Sequence, residues 1–377
     1  MNGKGDYNPK DVRKRVREFA EKELRPNVAA LYEDEKTYPY ELRKKAAKEI
    51  LPLLNDSIMA KVITIEEMCR VNPGLGITVI EQPLFGSDII DLYGNQDQKK
   101  DILDKIRSGD FISGLAITEP GGGSDVASLK TKAEKTDGGY FLNGSKIFIT
   151  NGNVADYIIV LARTSVEKNK HMGMTTFILD TKSKGFTANR LTGKMGVKAS
   201  VTSELLFDNI FIPDKYVLGE VGRGFYQVMD YFNRSRINVA AMSLGIAQGA
   251  MEQLIKYMIK VRNAEPTIST DEWTFFELSE IATKVYTARN LTYDAAYKVS
   301  HNTPNPMITS MAKKFASETA VYVSRRISKI MGVEGVTGPP EMFFRDSKIM
   351  DIWEGASEIE DLVIGRTLLK DGGIPYE

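Results

Sequence analysis

Cysteine, histidine and any excess of one charge are what this 377-residue sequence has least of. The single cysteine, Cys69, excludes an internal disulfide and fits a reducing, cytoplasmic location. It stands in Ile65-Glu-Glu-Met-Cys-Arg, a helical pattern, and reads as a small buried hydrophobe rather than a reactive thiol. The two histidines, His171 and His301, lie in a polar loop and in a turn before Asn302-Thr-Pro. Neither has a partner at ligand spacing, so no metal site and no His-centred triad is expected. Any general base must then be a carboxylate, a lysine or a tyrosine. Lys+Arg and Asp+Glu both number 50, which gives no basic excess for nucleic acid and no acidic tail. No apolar run approaches the ~20 residues of a membrane helix. Met1-Asn-Gly-Lys-Gly-Asp-Tyr has no apolar core of a secretion signal. Neither membrane insertion nor export is expected.

What is present falls into three blocks. Residues 8 to about 112 carry helical spacing: Val12 to Leu24 ended by Pro26, a helix through Leu42, one from Ala60 to Arg70 stopped at Asn72-Pro-Gly, and stretches near 76–92 and 97–107. From about 113 to 217 the period shortens to β-rich runs split by Asp137-Gly, Asn143-Gly and Lys184-Gly. From Gly222 the helical period returns, near 224–262, 272–300, 306–331 and 355–370. The expected class is α+β, with a helical domain over 1–113, a β domain over 114–220 and a helical bundle over 221–377.

Two motifs carry chemistry. Residues 114–128 run from an apolar strand through Thr118-Glu-Pro-Gly-Gly-Gly123 to Ser124-Asp. Consecutive glycines leave backbone N–H groups uncovered, so a phosphate or a planar ring can come close. Trp353-Glu-Gly puts one carboxylate behind a large aromatic and before a glycine. In this pairing, in register over nearly the whole chain, the sequence resembles the acyl-CoA dehydrogenase family of flavoproteins. The resemblance implies that family's fold: a helical N-terminal domain, a β-barrel-like middle domain and a C-terminal four-helix bundle. It also implies bound FAD and α,β-desaturation of an acyl-CoA thioester. A base removes the α proton, the β hydrogen leaves as hydride to flavin N5, and donors stabilise the enolate-like oxygen.

Residue by residue, Glu354 matches the family's catalytic glutamate, desolvated between an aromatic wall and the flavin. Its backbone N–H would help bind the thioester oxygen, beside Gly355. Some relatives place the base on an earlier helix, where Ser235 stands here and cannot do that job. Thr118 and Thr150 match hydroxyls at the flavin ring. Gly123 and Ser124 match the pyrophosphate end, with Ser124 also near substrate. Phe148 stands where the family usually has Trp, and Trp353 where it usually has Tyr. Phe232, Asn233 and Arg236 match positions along the pantetheine channel.

The pattern departs in four places. Arg262 is followed by Asn-Ala-Glu-Pro, with Glu272 or Trp273 near a usual Gln. Lys329-Ile-Met-Gly332-Val-Glu-Gly335 replaces Gln-x-x-Gly-Gly-x-Gly. In the family these two elements grip the ADP half of an FAD seated mainly on the neighbouring subunit; Lys329 would have to pair with a phosphate instead. Ala356 stands for the usual Thr. The segment Leu51-Pro-Leu-Leu-Asn to Ala60 is short where relatives carry a loop near the acyl pocket. Glu81, Asp88 and Asp91 are unusual beside a plain alkyl tail and read as a solvated face or as contacts to a polar, cyclic or dicarboxylic acyl group. The implied partners are an acyl-CoA, an electron-transfer flavoprotein and copies of the chain in a tetramer. Alternatives are a subunit completing a partner's FAD site in a heteromer, an enoyl-CoA reductase, or an acyl-CoA oxidase.

Overall fold

The computed structural model describes residues 8–54, 57–81, 86–264, 272–301 and 303–373. Helix α1 (Pro9–Phe19) starts where the Asn8 side chain accepts from Lys10 N at 3.0 Å, with proline in the first turn. Pro26 does not end the helical path, as the sequence suggested. It sits in the first turn of a short 3-10 segment, Arg25–Asn27, where its missing N–H costs nothing, and the chain continues helically to Leu31. Helix α2 (Tyr40–Glu49) and helix α3 (Ile58–Val71) follow. The α3 helix stops at Asn72, which turns to extended geometry and caps the next short helix by accepting from Leu75 N at 2.7 Å. Helix α4 (Ser87–Tyr93) and the turns over 96–107 complete this block.

The β domain is one mixed sheet: β1 (Ser113–Ala116), β2 (Lys132–Thr136), β3 (Gly139–Thr150), β4 (Tyr157–Arg163), β5 (Met174–Asp180), β6 (Phe186–Arg190), β7 (Thr202–Pro213) and β8 (Val217–Leu218). Its order is β6-β7-β3-β2-β4-β5-β8, with β1 parallel to β4. Strand β3 slips register against β7 between Lys146 and Ile149.

The third block is α5 (Gly224–Ala264), α6 (Glu272–Ser300), α7 (Pro306–Ile330), α8 (Pro339–Ser347) and α9 (Ser357–Asp371). Helix α3 is buried along nearly its whole length, including Cys69, in a core shared with this bundle. Gly245 and Gly249 make that possible. A Cβ there would stand 2.5 Å from Glu66 O and 2.2 Å from Arg70 O, so α5 approaches α3 backbone to backbone. The two buried acids of α3 are paired rather than bare. Glu66 meets Arg13 at 2.9 Å, Arg289 at 2.8 Å and the Tyr293 hydroxyl at 2.7 Å, and Glu67 meets Arg17 at 2.8 Å. Asp346, fully buried, pins the three blocks together: it accepts from Val197 N at 2.6 Å and from the Tyr32 hydroxyl at 3.2 Å. That pin lies a few residues before Trp353, so it sets where the Trp-Glu-Gly turn meets the β domain.

Candidate active site

One cluster forms where α5 meets the turn after α8. Glu354 sits at φ +53°, a conformation an L residue adopts only when its surroundings enforce it. The Ser235 hydroxyl, 2 % exposed, donates to Glu354 Oε2 at 2.5 Å. Water withdrawal pushes the Glu354 carboxyl up to about 7. The Ser235 bond and the Arg236 and Lys313 charges pull the other way without cancelling it. The carboxyl is thus poised near neutrality, as a base for carbon acids needs to be.

The backbone around this carboxyl is held rigidly. Gly355 has φ +109°, and a Cβ there would lie 2.1 Å from Glu360 Oε1. Glu360 is itself buried and pairs with Arg236 Nε at 2.9 Å, while Arg236 Nη1 donates to Asn233 Oδ1 at 2.6 Å. Lys313, with no exposed surface, donates to Gly355 O at 2.6 Å, and burial lowers it to about 8. The structure therefore brings Asn233, Arg236, Glu354 and Gly355 together, with Phe232 half-buried on the same turn of α5. Trp353 packs on the bundle core with its Nε1 buried and without an acceptor among the described residues.

A second cluster forms on the β domain. Ile147 N donates to Thr118 O at 2.9 Å, which sets the Thr118 turn beside the distorted stretch of β3. Phe148 stands there at φ +60° and 66 % exposed. A strained, exposed aromatic near the end of a strand, where its register shifts, marks a surface on which a flat group can lie. Thr150 follows, half-buried. Gly121 and Gly122 have open space where a Cβ would be, Gly123 lies against Thr118, and Ser124 is exposed. This cradle, the bare ring of Phe148 and the orphan indole N–H fit a planar, phosphate-bearing cofactor such as FAD.

Sequence reasoning missed what holds the cradle. Glu119 accepts from Lys130 N at 2.7 Å and Thr131 N at 2.9 Å. Lys146, fully buried, donates to Glu119 Oε1 at 3.0 Å and to Ile117 O at 2.8 Å. Burial drives Lys146 down to about 8, countered by the Glu119 charge. The lone lysine among apolar residues of Ser145-Lys-Ile-Phe-Ile was the available signal.

Other expected residues lie elsewhere. Arg262, Lys329 and Gly332 are exposed at the far end of the bundle, where Lys260 and Glu334 pair at 3.1 Å. Arg262 comes 27 positions after Ser235 on one helix, about 40 Å along its axis at ~1.5 Å per residue. The two ends of α5 are therefore separate places on the chain. Asp88 pairs with Lys61 at 2.6 Å and Asp91 with Arg107 at 3.0 Å, so the two acids are neutralised. They line a cavity of about 600 Å³ between the N-terminal helices and α5. The Glu81 side chain and Gln82–Phe85 lie outside the described residues. Among the described residues no helix is long and apolar enough to cross a membrane and no metal-binding cluster occurs.

Comparison with known proteins gives the same three blocks. The chain matches the models for the N-terminal domain of acyl-CoA dehydrogenases over residues 8–110, the middle domain over 114–210 and the C-terminal domain over 222–369. It is 36% identical to an acyl-CoA dehydrogenase of Bacillus subtilis, over 95% of this chain and 97% of the relative. It is 33% identical to a subunit of the caffeyl-CoA reductase–Etf complex of Acetobacterium woodii, over 96% of this chain and 98% of that one. The structure of butyryl-CoA dehydrogenase from Megasphaera elsdenii superposes with a TM-score of 0.90 at 31% identity, covering 98% of this chain and all of that one.

Proposed function

The chain belongs to the acyl-CoA dehydrogenase family, and from that premise we propose that Glu354 is the base that takes the α proton of an acyl-CoA thioester. The family makes it an FAD-dependent oxidoreductase acting on acyl-CoA. The observation that carries the assignment is the Glu354 carboxyl itself: desolvated, near neutrality in pKa, oriented by Ser235 and set on a backbone that Lys313 and Gly355 hold. When bound, FAD supplies the acceptor for the β hydride.

The rest falls to the chain. Thr118, Gly123, Ser124, Phe148, Thr150 and Trp353 hold the flavin half and exclude water from one face. The Glu354 N–H donates to the thioester oxygen as charge develops there. Ser235 holds Oε2 of the carboxylate, which leaves Oε1 as the atom to take the proton. Phe232, Asn233 and Arg236 orient the arm that carries the thioester. In the reverse sense the protonated Glu354 returns the α proton, the direction that the name of the reductase-complex relative points to.

The proposal extends to assembly. Arg262, Lys329 and Gly332 meet the ADP half of an FAD held mainly by another subunit, in a homotetramer, with a heteromer as the alternative. Phe275, Phe276 and Tyr286, each more than half exposed on α6, give such an assembly apolar surface to bury. Electrons pass to an electron-transfer flavoprotein, as the relative complexed with one suggests. A cytoplasmic location belongs to the same reading.

The test is an anaerobic titration of the FAD-loaded protein with a panel of acyl-CoAs, read at the flavin absorbance. Wild type bleaches with its thioester. Glu354→Gln keeps flavin and thioester binding and does not bleach. A variant that bleaches at the wild-type rate removes Glu354 from the role.

A further inference from the structure

Glu354 shares its polar cluster with a second buried carboxylate, and the proton transfer proposed above uses only one of the two. The other is Glu360, whose side chain has no exposed surface. It stands in the first turn of α9, where the helix end favours a negative charge. Its Oε1 accepts from Arg236 Nε at 2.9 Å and lies so close to Gly355 that a Cβ there would collide with it. Only glycine at 355 leaves room for that carboxylate beside the peptide that carries Glu354. The groups facing the two acids come from several elements. Helix α5 brings Ser235 and Arg236, and α7 brings Lys313, with Ser310 toward Glu360. The turn before Trp353 brings Asp351 toward Lys313, but Asp351 already pairs with Lys348 at 2.9 Å.

Two buried cations beside a single carboxylate would hold it ionised and make it a poor proton acceptor. Arg236 and Lys313 are both buried, so a base at Glu354 needs one of those charges offset. Burial raises Glu360, and the Arg236 charge, the Lys313 charge and the Arg236 bond pull it back. The Glu360 charge in turn raises both Glu354 and Lys313. We propose that Glu360 is a positioning residue for the α-proton transfer: as a carboxylate it takes up the charge of Arg236 and packs on Gly355, which holds the turn in shape and leaves Glu354 facing one uncompensated cation instead of two. The inference rests on Glu354 being the base. On that reading Glu360 acts through Glu354 and its turn, and not on the substrate.

The experiment follows flavin reduction against pH in the FAD-loaded protein, by rapid mixing with a saturating acyl-CoA that bleaches it. Glu360→Gln keeps the shape of the side chain and an acceptor for Arg236 but removes the charge. Arg236 is then uncompensated and Glu354 ionises more readily. The rising limb moves down by about half a unit or more, to a lower plateau because the base is weaker. Glu360→Asp keeps the charge, and its limb stays at the wild-type position even where the shorter side chain slows the rate. A Glu360→Gln protein that is slower at every pH with an unmoved limb has lost packing only, and overturns the proposal. So does a limb that moves up, or one that moves as far in Glu360→Asp as in Glu360→Gln. Neutron diffraction from wild-type crystals below the limb adds a check that no misfolded variant can spoil. Deuterium is expected on Glu354 and not on Glu360. Deuterium on Glu360 overturns the proposal, because a neutral Glu360 has no charge to set against Arg236. If Glu354→Gln bleaches at the wild-type rate, it is the assignment of the base that has failed, and the neutron map alone then decides whether Glu360 carries the compensating charge.

Discussion

The two ends of α5 are built to different standards. At the end near Ser235, the Glu354 carboxylate, the Glu360 carboxylate and the Gly355 carbonyl are met at 2.5–2.9 Å by Ser235, Arg236 and Lys313, all three of them buried. At the end near Arg262, the corresponding residues are exposed, Gly332 has nothing within reach of a Cβ, and the visible pairing is the surface contact of Lys260 with Glu334. A site that performs chemistry inside one chain must be preorganised by that chain, because reorganisation during reaction is costly. On the proposed assembly, the Arg262 end is completed only by another subunit, and an open surface there is what that reading expects.

The comparison breaks most sharply under substitution of Glu354. Glu354→Gln should lower the rate of flavin reduction by about 10³-fold or more, the scale of a positioned general base, in rapid-mixing traces at full flavin occupancy. Next comes Gly355→Ala. The added Cβ has no room beside Glu360 and the backbone has φ +109°, so thermal unfolding should show roughly 3 kcal/mol lost along with activity. Unchanged melting would mean that the loop relaxes freely, and the built end would be less rigid than its geometry implies.

Two further substitutions sharpen the contrast. Lys146→Met removes the buried ammonium that supports Glu119, so the Thr118–Ser124 cradle should loosen and FAD affinity should fall about tenfold, measured by flavin fluorescence. Ser235→Ala tests the pH dependence. The raised pKa means that Glu354 is mainly protonated below about 7 and mainly the active carboxylate above it, so reduction should speed up as pH rises through that value. The Ser235 bond favours the ionised form, so its loss should move the rising limb upward by about one unit. A limb that moves down would reverse the assignment. The smallest effect belongs to the open end: Lys329→Ala should change subunit stability by less than about 0.5 kcal/mol, as exposed sites do, while weakening FAD retention in the assembled protein.

Much of this was legible in the sequence, because it is written locally. Helical spacing located α3 and the four long C-terminal helices, and the turn dipeptides marked the strands. Cys69 is buried as its pattern indicated. Glu354 stood out because a carboxylate between Trp and Gly is a local feature. Pro26 misled because proline stops a helix only where a backbone donor is needed, and a new helical turn begins there instead. Asp88 and Asp91 looked unusual as acids near an acyl tail, and only the fold supplies Lys61 and Arg107 to neutralise them.

The sequence by itself determined the order of helices, strands and helices and the family, and it singled out Glu354 as the carboxylate proposed for the base. Periodicity, turn chemistry and short motifs act over a few residues, so they survive in one dimension. Tertiary structure alone decided that Ser235 would hold Glu354 across 119 positions, that Lys313 would fix Gly355 and that Lys146 would brace Glu119. Those outcomes depend on which buried groups meet once distant segments pack. In a low-dielectric interior the meeting sets both the pKa and the geometry on which the chemistry depends.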